Sequence, residues 1–468
     1  MSEAAAEIKE SFRDSLGIVE KSGKRKWVYP KKPSGRFHRA RLILSLILLA
    51  VLFGVPFVKV GGHPYMLFDI ISRKFILFGF PFGPHDFFLL GLTMIASIVF
   101  IFLFTAVFGR LFCGWVCPQT VFMEMVFRKI DFWVEGDHRS QQRLNESSWT
   151  GEKLFKKGTK YAFYFVISFL VSNMLLAWII GVDALGKIVT DPVEMHLGGF
   201  IAMMLFTGLF YWIFIWFREQ ACILVCPYGR LQGVLLDPNS IVIAYDYLRG
   251  EPRGKIKKSE QRTYGDCIDC KECVVVCPTG IDIRNGTQLE CVNCTACIDA
   301  CDYVMEKIDK PKGLIRFDSA NGIKVKQRKI FTSRVIGYST LQLALVGLLS
   351  YFLATRSDVD VTILRTPGMF YQEQPDDKVS NLYDIKLLNK TFEPQEIDLK
   401  MLGDEGEIKL LGDKVVIPPQ ESAQAKMFVL LEKDEIKRMN TPIEIAVFSN
   451  GKEIHRIASS FLGPVEKK

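Results

Sequence analysis

Apolar residues in this chain are concentrated in five long stretches, separated by segments that carry most of the charge. A helix needs about 20 apolar residues to cross the hydrocarbon core of a bilayer. The five stretches approach or reach that length, and we predict that they form a bundle of five transmembrane helices. For any single stretch, the alternative is a helix buried in a protein core. The stretches are Leu42–Phe57, Phe87–Phe108, Tyr161–Val182, Leu197–Phe217 and Val335–Ala354.

Basic residues alternate between the connections of these stretches. Residues 1–41 are rich in Lys and Arg, and the connection 109–160 holds nine of them, whereas 58–86 holds three and 183–196 holds one. Short cytoplasmic loops carry an excess of Lys and Arg. We therefore predict a multi-pass protein of the bacterial inner (cytoplasmic) membrane with its N-terminus inside and its C-terminus in the periplasm. We therefore interpret the net charge of +8 as a sign of association with a lipid bilayer, and we expect no nucleic-acid partner.

The segment after the fifth stretch has the alternating pattern of β-strands. Asn450-Gly451 is a dipeptide that favours a type I′ hairpin turn. Several short strands in such a segment predict an immunoglobulin-like sandwich, with an open sheet as the alternative. The strand candidates are Lys378–Leu388, Glu396–Met401, Glu407–Leu411, Gln424–Leu431 and a hairpin within Ile443–Phe461.

These patterns divide the chain into a multi-domain membrane protein. The predicted parts are a basic cytoplasmic tail at 1–41, four transmembrane helices at 42–217, a cytoplasmic ferredoxin-like domain at 218–334, a fifth transmembrane helix at 335–354, and a periplasmic immunoglobulin-like β domain at 355–468.

The ferredoxin-like assignment rests on two successive cysteine runs. Both have the spacing C-x2-C-x2-C-x3-C, which is typical of bacterial ferredoxins that hold [4Fe–4S] clusters. The first run ends in Pro278, as in those ferredoxins, and the second ends in Asp302. Twelve cysteines in short spacings inside a membrane protein indicate metal ligation rather than a disulfide framework. The runs are Cys267, Cys270, Cys273 and Cys277, and then Cys291, Cys294, Cys297 and Cys301.

The fourth cysteine of each run is expected to serve the other cluster, as in two-cluster ferredoxins. This rule assigns Cys267, Cys270, Cys273 and Cys301 to one cluster. It assigns Cys291, Cys294, Cys297 and Cys277 to the other. The alternative is a pair of structural zinc sites, because paired C-x2-C motifs also bind zinc.

The remaining four cysteines form two Cys-x3-Cys-Pro motifs, each just after an apolar stretch. Residues i and i+4 of a helix share one face, so each pair could present two sulfurs to one ion, with the proline perturbing or ending the helix. Soft thiolates select Cu(I), zinc or iron–sulfur centres. Arg110 would place a cation near the thiols and could lower their pKa. The candidate metal and catalytic ligands are Cys113, Cys117, Cys222 and Cys226.

In these motifs and their order the chain resembles the FixG/CcoG (RdxA) family of cytochrome c oxidase accessory proteins, which are similar to membrane polyferredoxins. Tyr228-Gly229-Arg230 after the second motif and Val379-Ser-Asn-Leu-Tyr-Asp384 in the β domain support the resemblance. It implies a role in assembling a cbb-type cytochrome c oxidase. It also implies two [4Fe–4S] clusters that supply electrons for reducing Cu(II) to Cu(I) at the Cys-x3-Cys pairs.

Three functions are therefore open. The first is an oxidoreductase, a cupric reductase that receives electrons from a cytoplasmic donor and passes Cu(I) to an oxidase subunit or a copper chaperone. The second is an electron conduit to quinone or a periplasmic redox partner. The third is a non-enzymatic assembly factor whose outer domain binds an oxidase subunit. Self-association into a homo-oligomer is compatible with all three.

Overall fold

The computed structural model describes residues 24–255, 264–375, 377–402, 406–412, 415–436 and 438–464. Residues 1–23 of the predicted basic tail lie outside the described residues. The chain divides into two compact units. The first comprises Met1–Val58 and Leu92–Gly347, and the second comprises Lys59–Gly91 and Leu348–Lys468.

The helices are numbered in chain order. They are α1 Arg36–Gly54, α2 Phe87–Phe108, α3 Leu111–Trp115, α4 Pro118–Thr120, α5 Arg128–Val134, α6 His138–Glu146, α7 Gly151–Ile180, α8 Val182–Thr190, α9 Leu197–Trp212, α10 Pro227–Leu235, α11 Tyr247–Gly250, α12 Glu272–Val275, α13 Ala296–Lys307, α14 Ala320–Val325 and α15 Ser333–Ala354. The segments Val121–Phe127, Ile213–Phe217 and Ala221–Val225 are π-helical.

The strands are numbered in the same way. They are β1 Lys59–Val60, β2 His63–Pro64, β3 Leu67–Asp69, β4 Lys74–Leu77, β5 Phe80–Phe82, β6 Val242–Tyr245, β7 Ile315–Asp318, β8 Val359–Arg365, β9 Gln372–Gln374, β10 Lys378–Asn389, β11 Gln395–Leu402, β12 Glu407–Leu410, β13 Val415–Ile417, β14 Ser422–Glu432, β15 Asn440–Ser449 and β16 Lys452–Leu462.

The prediction of five transmembrane helices is confirmed. Within the part of the chain that the structure describes, five helices are long and apolar enough to cross a membrane: Arg36–Phe57, Pro84–Phe108, Gly151–Ile180, Val193–Phe217 and Ser333–Ala354. The third begins ten residues before the predicted stretch and ends two residues before Val182. Its polar first turns are helical because the Thr150 side chain caps them by accepting from the Lys153 amide and because Lys156 pairs with Glu152 at i and i+4.

In the first unit, the cysteine-rich segment packs against the ends of the membrane helices. β6 and β7 pair as a two-stranded antiparallel sheet, and the buried core beside them contains five ferredoxin cysteines and Cys113. Ser240 donates from Oγ to the carbonyl oxygen of Ala106 at 2.7 Å, which ties this segment to the end of α2. The Asp299 carboxylate accepts from the amides of Phe37 and His38, so α13 caps the free amides at the start of α1.

The second unit contains the predicted immunoglobulin-like sandwich. One sheet has the order β12-β14-β10-β8, with β9 also paired to β10, and the other has the order β13-β11-β15-β16. Inward residues of both sheets form one core, including Tyr383, Ile385 and Met427 from the first and Ile445 and Phe461 from the second. The strand candidates are confirmed, and the turn between β15 and β16 has Asn450 and Gly451 at positive φ, as a type I′ turn requires.

The same unit contains short strands that the hydrophobic pattern did not predict. β3, β4 and β5 form a three-stranded meander within the connection between the first two membrane helices. In this unit, the buried Asp86 carboxylate lies 2.9 Å from Arg356 Nη2 and 3.2 Å from Lys390 Nζ. These ion pairs join the connection to the start of the β domain, which explains why the two segments form one unit.

Tyr383 links the two sheets of the sandwich, and its removal offers a test of that packing. The side chain is fully buried, and its hydroxyl donates to the carbonyl oxygen of Ser460 at 2.8 Å. We expect Tyr383→Phe to lower the free energy of unfolding of this domain by about 1–3 kcal/mol, because the carbonyl loses its partner in a dry core. This change is measured by thermal unfolding of the full chain, with proteolytic cleavage of the β domain as the signal that reports its unfolding.

Tyr371 provides the matched control. Its ring packs against the same core, and its hydroxyl has no hydrogen-bond partner among the residues that the structure describes. Tyr371→Phe is therefore expected to leave unfolding unchanged within about 0.5 kcal/mol. Equal effects of the two substitutions would contradict the bridging role of Tyr383.

Candidate iron–sulfur and thiol site

The two cysteine runs repeat the same local backbone. In the first run Asp269 and Lys271 have φ of 51° and 61°, and in the second Asn293 and Thr295 have φ of 53° and 68°. These left-handed residues flank the second cysteine of each run, although none of them is glycine. Alternation of left- and right-handed residues turns successive amides inward and forms a concave site for anions. A helix then begins within each run, two residues after its second cysteine: α12 carries Cys273, and α13 carries Cys297 and Cys301.

The structure brings the eight ferredoxin thiols together in two groups. The electrostatic neighbours of Cys301 are Cys270 and Cys267, and those of Cys273 include Cys301 and Cys270. Thus Cys301 lies with the first run although it belongs to the second. This is the geometry that exchange of the fourth cysteines requires.

The second group has the complementary composition. Cys291 has Cys294 and Cys277 as neighbours, and Cys297 has Cys294, Cys291 and Cys277. Burial, together with these neighbouring thiols, raises the pKa of Cys291 and of Cys301 to about 12. Such thiols ionise only when a metal replaces the proton. A dry, thiol-lined site of this kind fits iron–sulfur clusters, which are held by four cysteine thiolates each.

The two Cys-x3-Cys-Pro motifs do not form continuous helices, contrary to our expectation. Cys113 lies on α3, which ends at Trp115, and Cys117 is the extended residue before α4. Cys222 lies in the π-helical segment Ala221–Val225, and Cys226 is the extended residue before α10. Each proline thus begins a new helix, because its fixed φ suits the first helical position and its missing amide is not needed there.

Even so, the four thiols of these motifs lie close to one another. The electrostatic neighbours of Cys222 are Cys117, Cys113 and Cys226, followed by the cation of Arg110. Burial and the neighbouring thiols raise the pKa of Cys222 to about 12. Arg110 lowers the pKa of Cys113, but burial outweighs it and the net shift is upward. The predicted lowering by the Arg110 cation is therefore present, but burial has the larger effect on the pKa of Cys113.

Arg110 and Gln232 hold the Cys113 side chain in place. Gln232 Oε1 accepts from Arg110 Nε at 3.0 Å and from Cys113 Sγ at 3.1 Å. Arg110 also donates from Nη1 to the carbonyl oxygen of Leu289, two residues before Cys291. These three residues are buried: Arg110 is 3% exposed, Gln232 is 0% exposed and Cys113 is 7% exposed. The orientation of the Cys113 thiol is therefore determined by α10 and by the second cysteine run.

The first Cys-x3-Cys motif makes direct contact with the loop between Cys291 and Cys294. Trp115 Nε1 donates to the carbonyl oxygen of Asn293 at 3.2 Å. A Cβ on Gly114 would lie 2.3 Å from the carbonyl oxygen of Val292, so only glycine permits this approach. The backbones of the two cysteine motifs therefore touch, with no side chain between them.

A small cavity lies beside Cys222. It has a volume of about 30 Å³ and is lined by Met123, Cys222, Pro278 and Thr279 among others. Such a volume holds about one water-sized object. Met123 is a soft thioether donor in the π-helical segment after the first motif, and Pro278 directly follows Cys277.

The donor geometry distinguishes clusters from single ions. Within the described residues, no three His, Cys, Asp or Glu side chains converge on a point where one metal ion could sit. A cubane spreads its thiolates over four irons, so this spacing suits the ferredoxin quartets. The histidines have other contacts: His63 stacks on Phe392, and His196 lies 3.0 Å from Asp191.

Several of these residues were not found from the sequence. Gln232 lies outside the cysteine motifs, whereas Gly114, Trp115 and Asn293 are intervening positions of those motifs, about which the spacing of the cysteines says nothing. The contacts of these residues span more than 100 residues of chain. A partial signal was available for Gln232, because it follows Tyr228 by one helical turn on the helix that Pro227 begins. The Tyr228 hydroxyl lies 3.2 Å from Thr105 Oγ1, so this helix also contacts the second membrane helix.

Five membrane helices, two ferredoxin cysteine runs and a β sandwich define a membrane iron–sulfur protein of the electron-transfer class. The family models agree with this architecture. A 4Fe-4S dicluster domain matches residues 217–320, a 4Fe-4S binding domain matches residues 90–135, and the IG-like fold at the C-terminus of FixG matches residues 349–464.

Curated relatives match over most of their length. Protein RdxB of Cereibacter sphaeroides is 32% identical over 92% of this chain and 95% of its own. Protein RdxA of the same organism is 33% identical over 81% of this chain and 83% of its own. Nitrogen fixation protein FixG of Rhizobium meliloti is 31% identical over 88% and 87%. The chain belongs to the FixG/RdxA family.

Proposed function

We propose that this protein is a cupric reductase that makes Cu(I) for the assembly of a cbb-type cytochrome c oxidase. Its substrate is Cu(II), and its candidate copper ligands are Cys113, Cys117, Cys222 and Cys226. The observation that carries the proposal is that these four thiols lie together and that the first of their two motifs contacts the loop of a ferredoxin run directly, through Gly114 and Trp115. A soft-metal site beside an electron-transfer centre is what one-electron reduction of copper requires.

The iron–sulfur ligands follow from the two thiol groups. We assign Cys267, Cys270, Cys273 and Cys301 to one [4Fe–4S] cluster. We assign Cys291, Cys294, Cys297 and Cys277 to the other. When bound, a reduced cluster supplies one electron, which converts one Cu(II) to Cu(I) and returns the cluster to its oxidised form.

The copper chemistry is supported by the type and spacing of the donors. Cu(I) accepts two thiolate ligands, so a thiol pair is sufficient where three groups do not converge. The high pKa of Cys222, about 12 because of burial and neighbouring thiols, means that copper must displace the thiol proton. Met123, which lines the cavity beside Cys222, can add a thioether that favours Cu(I) over Cu(II).

The remaining parts of the chain suit delivery of the product. The basic connections support a cytoplasmic location for the cysteine-rich segment, where an electron donor can reach it. The sandwich would lie in the periplasm and would bind an oxidase subunit or a copper chaperone.

Copper addition to the reduced protein tests the proposal. Anaerobically reduced full-length protein is mixed with one equivalent of Cu(II) and a chromogenic Cu(I) chelator. We expect the clusters to be reoxidised and the chelator signal to rise in equal amounts. In Cys117→Ser/Cys226→Ser we expect both signals to fall at least tenfold with iron content unchanged, because the thiolates that bind copper are lost while the ferredoxin thiols remain.

A pair of methionines provides the control for this experiment. Met123 and Met203 are equally buried, at 3% exposure, but Met123 lines the cavity beside Cys222 and Met203 lies on α9. Met→Leu changes in cores are usually mild. We expect Met123→Leu to slow Cu(I) formation and Met203→Leu to leave it unchanged. Chelator signals at the wild-type rate in the double cysteine variant would contradict the copper site.

Burial of the thiols favours a second candidate, an electron conduit. Cys113 is only 7% exposed, so a metal must displace packed side chains to reach it, whereas an electron need not. In that case the thiol pairs brace the helices and the acceptor is a quinone or a periplasmic protein. Reoxidation of the clusters by a quinone, undiminished in Cys117→Ser/Cys226→Ser, would favour this function over copper reduction.

A further inference from the structure

Arg41 is a buried cation near the start of the first membrane helix, and it contacts the first Cys-x3-Cys motif. Its side chain is 4% exposed, and its Nε donates to the carbonyl oxygen of Gly114 at 2.6 Å. The backbone of Gly114 in turn touches that of Val292 and Asn293. The guanidinium of Arg41 therefore lies close to the place where the first Cys-x3-Cys motif meets the second ferredoxin run.

The packing of α1 on the ferredoxin core brings Arg41 to the second thiol group. Phe37, one helical turn before Arg41, packs against the buried core that contains Cys294. Residues at i and i+4 share one face of a helix, so Arg41 lies on the face that contacts this core. Burial raises the pKa of Cys294 to about 11, and the largest opposing effect is that of the Arg41 cation. Glu124 has a smaller influence on Cys294 and itself lies 3.2 Å from Arg128.

The positive charge of Arg41 is not balanced by a neighbouring side chain. Its Nη2 is buried without a hydrogen-bond partner, and it forms no ion pair with a carboxylate of the described residues. A buried cation without a counter-charge is strongly unfavourable. An iron–sulfur cluster with four cysteine thiolates carries net negative charge. Such a cluster at the second thiol group would supply the missing counter-charge, so Arg41 fits a cluster at this position.

The first thiol group has a different charge environment. The cation beside Cys273 is Arg284, and its guanidinium nitrogens lie 2.6 Å from Asp269 and 2.6 Å from Asp282. Two carboxylates thus offset the one positive charge of Arg284, whereas Arg41 has no such partner. The effect of Arg41 on a bound cluster is therefore expected at the second group and not at the first.

We propose that Arg41 is a positioning residue that raises the reduction potential of the cluster held by Cys291, Cys294, Cys297 and Cys277. Reduction adds one negative charge to a cluster, and a nearby cation stabilises the reduced form. Burial acts in the opposite direction, because a dry site disfavours added charge. Arg41 thus keeps the cluster that adjoins the first Cys-x3-Cys motif reducible. The inference rests on the cluster ligands assigned under the proposed function, but it does not depend on copper.

Two substitutions separate the charge of Arg41 from its hydrogen bond to Gly114. In Arg41→Gln the side-chain amide nitrogen takes the position of Nε and can still donate to the Gly114 carbonyl oxygen, but the positive charge is lost. In Arg41→Lys the charge is kept and the Nε donor is lost. If Arg41 acted only by holding the backbone of Gly114, the lysine variant would be the more disturbed of the two.

A potentiometric titration of the full-length protein, followed by EPR in the absence of copper, measures the reduction potentials of both clusters. At a fixed potential, we expect Arg41→Gln to lower the ratio of reduced to oxidised form of one cluster about tenfold, equivalent to about 59 mV for a one-electron couple. We expect Arg41→Lys to stay close to the wild type. In a Cys267→Ser background, which should retain only the second cluster, Arg41→Gln should shift the signal that remains.

Arg39 on the same helix provides the matched control. Its side chain is exposed, so Arg39→Gln removes one positive charge that water and salt already screen, and both potentials should stay unchanged. The proposal is overturned if Arg41→Gln titrates like Arg39→Gln, if Arg41→Lys lowers the potential as much as Arg41→Gln, or if both clusters shift equally.

Iron content decides the matter if Arg41→Gln does not retain both clusters. Loss of iron that Arg41→Lys does not share supports a requirement for the charge, and loss in both variants overturns the proposal. Because the titration contains no copper, failure of the copper experiment above would leave the role of Arg41 standing. Unchanged potentials in Arg41→Gln would in turn leave the copper site standing.

Discussion

A Cys301→Ser variant is expected to lose the same iron–sulfur cluster as a Cys267→Ser variant, although the two residues lie in different cysteine runs. The reason is that Cys301 has Cys267 and Cys270 as its thiol neighbours, so each substitution removes one ligand from the same quartet. Iron should fall from roughly eight to roughly four atoms per chain in both variants. EPR spectra of the two reduced variants should then show the same remaining cluster.

A pair of variants in the other quartet repeats the test on the second cluster, so that the result does not depend on the stability of one cluster alone. Cys277→Ser and Cys291→Ser should both retain the other cluster, because Cys277 is a neighbour of Cys291. Cys226→Ser serves as the control, since Cys226 belongs to neither quartet and should leave iron unchanged. If Cys301→Ser instead gave the same spectrum as Cys291→Ser, each run would hold its own cluster and the exchanged assignment would be wrong.

The ferredoxin runs could be recognised from sequence because their chemistry depends on spacing within a few residues. A loop that surrounds a cluster needs cysteines at fixed short intervals, and these intervals are visible in the chain. The left-handed backbone at Asp269, Lys271, Asn293 and Thr295 was not predictable, because none of these residues is glycine. Assignment of individual ligands to clusters remains a prediction, supported by the thiol grouping.

The membrane helices and the sandwich were predictable for a different reason. Long apolar stretches and alternating strands are local consequences of burial in lipid or in a two-sheet core. The hydrophobic pattern failed where an element has too few apolar residues to show a period. The meander β3-β4-β5 has too few residues per strand to show alternation, and α7 extends ten residues beyond its apolar stretch because of the Thr150 cap.

The thiol site shows the limit of spacing most clearly. Cys-x3-Cys predicted two sulfurs on one helical face, but the proline after each motif begins a helix and leaves Cys117 and Cys226 in extended conformation. The four thiols come together only because their segments pack on each other. Gln232 contacts Cys113 across more than 100 residues, and such contacts have no signal in local pattern.

The close approach of Gly114 to the second ferredoxin run leads to the other large expected effect. In Gly114→Ala the new Cβ would lie 2.3 Å from Val292 O and 3.0 Å from Asn293 O, so one of the two loops must move. Inserting a methyl group into a packed contact costs about 1–3 kcal/mol of stability. Because one loop carries Cys113 and the other carries Cys291 and Cys294, either movement displaces one group of thiols from the other, and we expect Cu(I) formation by the reduced protein to slow by a factor on the order of 10–100.

Gly158 offers a matched control for that substitution. It lies within α7, and no atom would come within 4 Å of its Cβ, so Gly158→Ala should raise stability by about 0.5–1 kcal/mol and leave copper reduction unchanged. Iron content and EPR of both variants separate slower reduction from loss of a cluster. If Gly114→Ala unfolds like the wild type and reduces copper at the wild-type rate, the backbone contact between the two cysteine motifs has no part in electron transfer.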